Sequence, residues 1–130
     1  MNIKEFAQKF IEAEDEAWKN GNLDKLEELE DPNVAYHMLP PNEFVGFEKH
    51  KQQILSYLEA LSDINQEWKY LAGDGNVCAL SYKSHSISTG KVSGLPPAGT
   101  EITGDSIFVL RLENGKIVEV WARGSSTGLD

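Results

Sequence analysis

Apolar residues recur every three or four positions along the first twenty. Ile3, Phe6, Ala7, Phe10, Ala13, Ala17 and Trp18 fall on one stripe, which predicts an amphipathic helix over residues 2–20. Asn20-Gly21-Asn22 stops it. Leu23, Leu26 and Leu29 predict a short second helix, ended by Asp31-Pro32. Residues 33–39, NVAYHML, read as a strand that breaks at Pro40-Pro41-Asn42. Phe47, Lys51, Ile54, Leu58 and Leu61 mark a third helix from about Gly46 to Ser62.

After Ser62 the period falls from 3.6 to 2. Trp68, Tyr70 and Ala72 alternate along a strand that closes at Asp74-Gly75-Asn76, a hairpin signal. Val77 to Ser88 is the next strand, and Thr89 to Gly99 a Gly/Pro loop. Ile102 to Leu112 and Ile117 to Arg123 form a hairpin turned by Asn114-Gly115. The tail GSSTGLD is predicted to fray. Helices first and an antiparallel meander after them define an α+β fold, with helices packed on one face of a curved sheet. Covering the open side of such a sheet encloses a ligand pocket.

At 130 residues the chain fits one domain, residues 1–130, large enough for a core without disulfides or a structural metal. Cys78 is alone, so the chain forms no internal disulfide, and no Cys/His metal spacing occurs. MNIKEFAQKF reads as a helix start rather than a signal peptide, and no apolar run nears the ~18 residues that span a bilayer. The expectation is a cytoplasmic protein with no membrane partner. A formal charge of −9 repels phosphate backbones, which argues against nucleic acid. The acids crowd into residues 1–31 and read as a solvated helical surface, with Glu14 as the exception.

The order of elements, and above all GLPPAGTEITGDSIFVLRLENGKIVEVW, resembles the SnoaL-like polyketide cyclase branch of the NTF2-like, or ketosteroid isomerase-like, superfamily. Chains of that branch carry a G-x-P-P-T-G loop, a strand with an Arg, and D-G-K-I-x-E-x-W. Here these read Gly94-Leu95-Pro96-Pro97-Ala98-Gly99, Arg111, and Asn114-Gly115-Lys116-Ile117-Val118-Glu119-Val120-Trp121. The resemblance implies a cone-shaped barrel built from a curved, mainly antiparallel sheet, with N-terminal helices over a central pocket. It also implies a homodimer and a small hydrophobic ligand. The family's catalytic Asp falls on Phe108, three residues before Arg111, and its loop His falls on Ser88, with His85 nearby. The isomerases' strand Asp falls on His37, and their helix Tyr on Glu14.

Four residues are therefore candidates for acid/base chemistry. Glu14 sits in the middle of an apolar stripe, where burial would raise its pKa. His37, between Ala35 and Leu39 on one strand face, could act as a base near neutral pH; its bland reading is a surface strand His. His85 points into the pocket if Ala79, Ser81 and Ile87 do; with the other parity Tyr82 and Ser86 replace it. Asp105 stands at the mouth of a strand, a position that ordinary turn chemistry also explains. His50 falls at the edge of a helix stripe and reads as structural.

Trp18, Tyr36, Trp68, Phe108 and Trp121 suit a pocket for a flat ligand, or a plain core. Glu119 shares a strand face with Trp121. No metal or cofactor is expected, because proton transfer beside a carbonyl needs only a base, an acid and a dry pocket. The expected function is cofactor-independent acid/base catalysis on a small hydrophobic carbonyl compound, of cyclase, isomerase or dehydratase (lyase) type. The alternative is a non-catalytic ligand-binding or dimerisation module.

Overall fold

The computed structural model describes residues 2–38 and 43–128. Its first helix, α1 (Ile3–Asn20), begins at Asn2, whose side-chain oxygen accepts the Glu5 N–H at 2.8 Å. It ends at Gly21, which takes the left-handed conformation (φ 70°). Gly21 N–H then reaches Ala17 O at 3.0 Å and Asn22 N–H reaches Glu16 O at 3.4 Å. The predicted stripe is the buried one: Phe6, Ala7, Phe10, Ala13 and Ala17 face the sheet. Phe10 meets Trp68 edge-on, with ring centroids 5.4 Å apart.

A short helix, α2 (Asp24–Leu29), buries Leu26 and runs straight into strand β1 (Glu30–His37). Asp31-Pro32 therefore lies inside a strand and is not the break it was expected to be. Proline is tolerated there because the ladder shifts register between Glu30 and Ala35, so its missing N–H interrupts no bond. Leu39 and Pro40-Pro41-Asn42 lie outside the described residues. A two-residue strand, β2 (Phe44–Val45), pairs with β1 and was too short to show as a pattern. Helix α3 (Phe47–Ala60) stops before Ser62, since Leu61 and Ser62 already pair with Ser88 and Ile87.

The meander follows as β3 (Leu61–Asp74), β4 (Val77–Ser88), β5 (Glu101–Glu113) and β6 (Lys116–Thr127). The sheet order is β2-β1-β6-β5-β4-β3, antiparallel except for β1 with β6. It is curved but not closed by hydrogen bonds: β2 and β3 are its edges, and α1 and α3 cover the concave side. Register shifts in β3 at Ser62–Asn65 and Tyr70–Ala72, and at Arg111–Leu112 in β5, help it bend.

One parity organises the sheet. Cys78, Leu80, Ser86 and Ser88 are buried, so the even positions of β4 face the helices. The register carries that face outward through Tyr82 with Ser106, Leu80 with Phe108 and Ala122, and Leu110 with Val120. Odd positions of β4 and β5, and of β6 from Glu119 on, form the outer face; the register shift before Glu119 puts Ile117 on the inner one.

Residues 124–127, expected to fray, continue β6 opposite Ser106, Asp105, Gly104 and Thr103. Gly124 lets the strands approach: a Cβ there would run into the Asp105 carbonyl and stand 2.6 Å from Ser106 Cα. Because backbone blocks it, Gly124→Ala is expected to lower unfolding stability by roughly 1–3 kcal/mol. Urea denaturation measures this; an unchanged midpoint would mean that the tail does not hold the sheet.

Candidate active site

Glu14 lies in the middle of the buried stripe of α1 and is 5% exposed. Its Oε2 accepts the Trp18 indole N–H at 2.9 Å, one helical turn on. Burial pushes its pKa up to about 7. Glu30 and Asp15 add to the rise, while His50 and the Trp18 hydrogen bond oppose it.

A second buried carboxylate faces it. Glu30, the first residue of β1, is 1% exposed and accepts the Tyr36 hydroxyl at 3.0 Å. His50 Nδ1 lies 3.0 Å from both Glu30 oxygens. A carboxylate can only accept, so Nδ1 carries the proton and Nε2 is the remaining nitrogen. Among the described residues, Nε2 makes no hydrogen bond. Burial pulls the His50 pKa down, but the Glu30 hydrogen bond and the charges of Glu30 and Glu14 outweigh it, and the net shift is upward. Tyr36 and Phe44 pack on the ring at centroid distances of 4.4 and 5.6 Å. Burial holds the Tyr36 phenol well above its ordinary pKa, so it stays a donor.

Glu14 and His50 meet at a cavity of about 170 Å³ beneath α1 and α3. Trp18, Tyr36, Trp68 and Phe108 line it, together with Tyr57 and Tyr82. Trp68 packs against Tyr82 and Phe108 at 4.5 and 5.0 Å. Gln66 links two of the rings: it accepts the Trp68 N–H and donates to the Tyr82 oxygen, both at 3.3 Å. The arrangement is a largely aromatic chamber with one carboxyl of near-neutral pKa and one carboxylate-held imidazole. It can move a proton and steady a developing negative charge.

The other sequence candidates lie elsewhere. Asp105 pairs with Lys83 and Ser125 and is exposed on the outer face, with no bulge between Asp105 and Arg111 to turn it inward. His85 shares the outer parity and sits 3.9 Å from the exposed Glu101; Tyr82 and Ser86 take the inner face. His37 is also outside. Its Nε2 is 2.8 Å from Glu119, its ring stacks on Trp121 at 5.2 Å, and Arg111 holds the other Glu119 oxygen. Trp121 is therefore part of an outer cluster and does not line the cavity. The Arg111 and His37 hydrogen bonds keep the Glu119 pKa below the usual carboxylate range.

His50 was read as structural and Glu30 as part of a solvated acidic surface, although a signal for their burial existed. His50 follows Phe47 by three positions and precedes Ile54 by four, so a titratable side chain sits in the α3 stripe. Glu30 extends the Leu23, Leu26 stripe by four. Each repeats the pattern that singled out Glu14.

A curved open sheet roofed by helices around such a cavity is the cone-shaped α+β architecture of the NTF2-like proteins. The sequence matches the SnoaL-like polyketide cyclase family over residues 8–126, and the chain belongs to that family. Its fold is similar to that of TsrD from Streptomyces laurentii (TM-score 0.79, 18% identity, 96% of this chain and 92% of that one). It is also similar to AclR, a proposed hydroxylase from Streptomyces galilaeus (0.77, 21%, 95% and 77%). A third similar fold is IdmH, a proposed polyketide cyclase from Streptomyces antibioticus (0.73, 19%, 92% and 91%). No curated protein sequence matches the chain. Phe108 lies in the cavity wall, and the Ser88 hydroxyl donates to Pro96 O at 2.7 Å and pins the Pro-Pro loop.

The raised Glu14 pKa links the site to stability. A folded-state pKa above the ordinary 4.5 means that the neutral form is favoured by folding. That contribution is full below about pH 4.5 and is lost as pH rises through about 7. Glu14→Gln, permanently neutral and still able to accept from Trp18, should match the wild type at pH 4.5. At pH 8 it should be more stable by roughly 1–3 kcal/mol, after allowing for the lost attraction to His50. Chemical denaturation at both pH values checks this.

Proposed function

We propose that the protein is a cofactor-independent acid/base enzyme acting on a small hydrophobic carbonyl compound, in a cyclase-, isomerase- or dehydratase-type reaction. The observation that carries this reading is the convergence of Glu14 and the Glu30-held His50 on one aromatic cavity. Glu14 as carboxylate takes the proton alpha to the carbonyl. Protonated His50, steadied by Glu30, donates from Nε2 to the carbonyl oxygen as it becomes an enolate. Glu14 then returns the proton to another carbon, or the enolate attacks a second carbonyl, or a β-hydroxyl leaves. All three outcomes share the first step.

That first step is measurable as deuterium uptake by 4-phenylcyclohexanone in heavy water. Glu14→Gln is expected to slow exchange at least ~100-fold, the usual worth of a positioned base. His50→Gln should slow it as well. The wild-type rate should rise with pH as Glu14 ionises near 7, and Glu14→Gln should abolish that rise. Exchange no faster than in buffer, with the ketone bound, overturns the reading. That result would favour a non-catalytic binding module, which the outer positions of Asp105 and His37 and the Phe108 and Ser88 substitutions already favour.

We also propose a homodimer through the outer sheet face. Ile107 is 46% exposed in the middle of that face, between Ser81 and Arg123 and next to Val109 and Trp121. An apolar centre on an otherwise charged sheet is where a second copy would pack. Sedimentation velocity should show a dimer that Ile107→Glu converts to monomer; a monomeric wild type overturns this.

A further inference from the structure

A second chamber of about 150 Å³ adjoins the first and shares four of its side chains, Trp18, Tyr57, Gln66 and Tyr82. Neither chamber alone reaches the ~300 Å³ at which pockets for drug-sized ligands begin; joined, they do. The second differs in chemistry. Its sheet wall is one cross-strand row, Gln66–Ser84–Gly104–Ser126, running over four strands. The rows beneath it read Trp68–Tyr82–Ser106–Gly124 and then Tyr70–Leu80–Phe108–Ala122. Polarity thus rises step by step from the core toward the second chamber.

Two details point to a ligand rather than to packing. Ser86 and Ser126 line the chamber, and the hydroxyl of neither makes a side-chain hydrogen bond among the described residues, so both are free to meet a ligand there. Gly104 has no positive φ that would call for glycine, but a Cβ there would stand 2.7 Å from Ser84 Oγ. Its missing side chain keeps a notch open in the row. Neither chamber is lined by Lys or Arg, so the row suits an uncharged hydroxyl or carbonyl group and offers no cation to an anion.

We infer that the two chambers form one elongated binding site. The ligand's reacting, apolar carbonyl end lies by Glu14 and His50, and its far, hydroxylated end lies on the Ser84–Gly104–Ser126 row. The substrate class is a neutral, extended ketone that carries hydroxyls remote from its reacting carbonyl. The position of the carbonyl end rests on the proposed acid/base reading; the polar row does not.

A matched pair of probes tests this, 4-phenylcyclohexanone and 4-(4-hydroxyphenyl)cyclohexanone, with binding followed by quenching of Trp18 and Trp68 fluorescence. The wild type should bind the hydroxylated probe roughly 3–10-fold tighter, the worth of about one neutral hydrogen bond. The pair Ser84→Ala and Ser126→Ala should bring that ratio to one without weakening 4-phenylcyclohexanone. Gly104→Ala, where only the Ser84 hydroxyl must turn aside, should fold normally. It should weaken both probes but leave plain cyclohexanone, which fits the inner chamber, unaffected.

Equal binding of the two probes by the wild type overturns the inference, and so does a Gly104→Ala variant that binds both as before. Deuterium exchange of cyclohexanone separates this outcome from the parent reading. Exchange without hydroxyl preference removes only the polar subsite. Hydroxyl preference without exchange removes the acid/base reading and keeps the subsite.

Discussion

The hydrogen bond between His50 and Glu30 ties the side chains of α3 to the start of β1, where the β1–β2 pairing has already brought the two elements together. Glu30 opens β1, His50 rides on α3, and Tyr36 reaches back from β1 to the same carboxylate. Both partners are almost fully buried. A buried ion pair adds little net stability, but removing one partner costs about 3–5 kcal/mol, because the other charge is stranded. The pair therefore fixes where α3 can sit against β1 more than it deepens the fold. Glu14 is locked into the same arrangement: its ionisation is eased by the His50 charge and opposed by Glu30. The two carboxyls differ in their hydrogen bonds rather than in burial. Glu30 is doubly hydrogen-bonded, by Tyr36 and His50. Glu14 has only Trp18 and is the one pushed toward neutrality.

Most of the fold was legible in the sequence because its signals are local. The α1 stripe, the Asn-Gly turn at 114–115 and the period-two run from Val77 to Ser88 each depend on a few neighbouring residues. Where the reading slipped, a non-local pairing had overridden the local sign. Pro32 is admitted to a strand by a register shift against β6, and residues 124–127 are ordered by β5. The site was legible only in part for a related reason. Glu14 stood out because a charge in an apolar stripe is anomalous on its own helix. His50 and Glu30 are explained only by each other, across twenty residues and two elements. His37 and Asp105 suggested themselves by residue type, but which face of a strand is buried depends on what packs against it, and the strand alone does not state that.

Strand parity also explains why the acid/base groups of this chain stand where they do. Asp105 and Phe108 are three positions apart on a continuous strand, so they must point to opposite faces. Phe108 points inward, between Leu80 and Ala122, and its ring completes the cluster with Trp68 and Tyr82. Turning Asp105 inward without a bulge would turn Phe108, Leu110 and Ile102 outward with it and dismantle the core of β5. An acid can therefore enter this cavity only from an inward strand position or from the helices above. The inward strand positions that line the first cavity are aromatic or apolar apart from Gln66, and none of them is an acid. That leaves α1 and α3, the faces that carry Glu14 and His50.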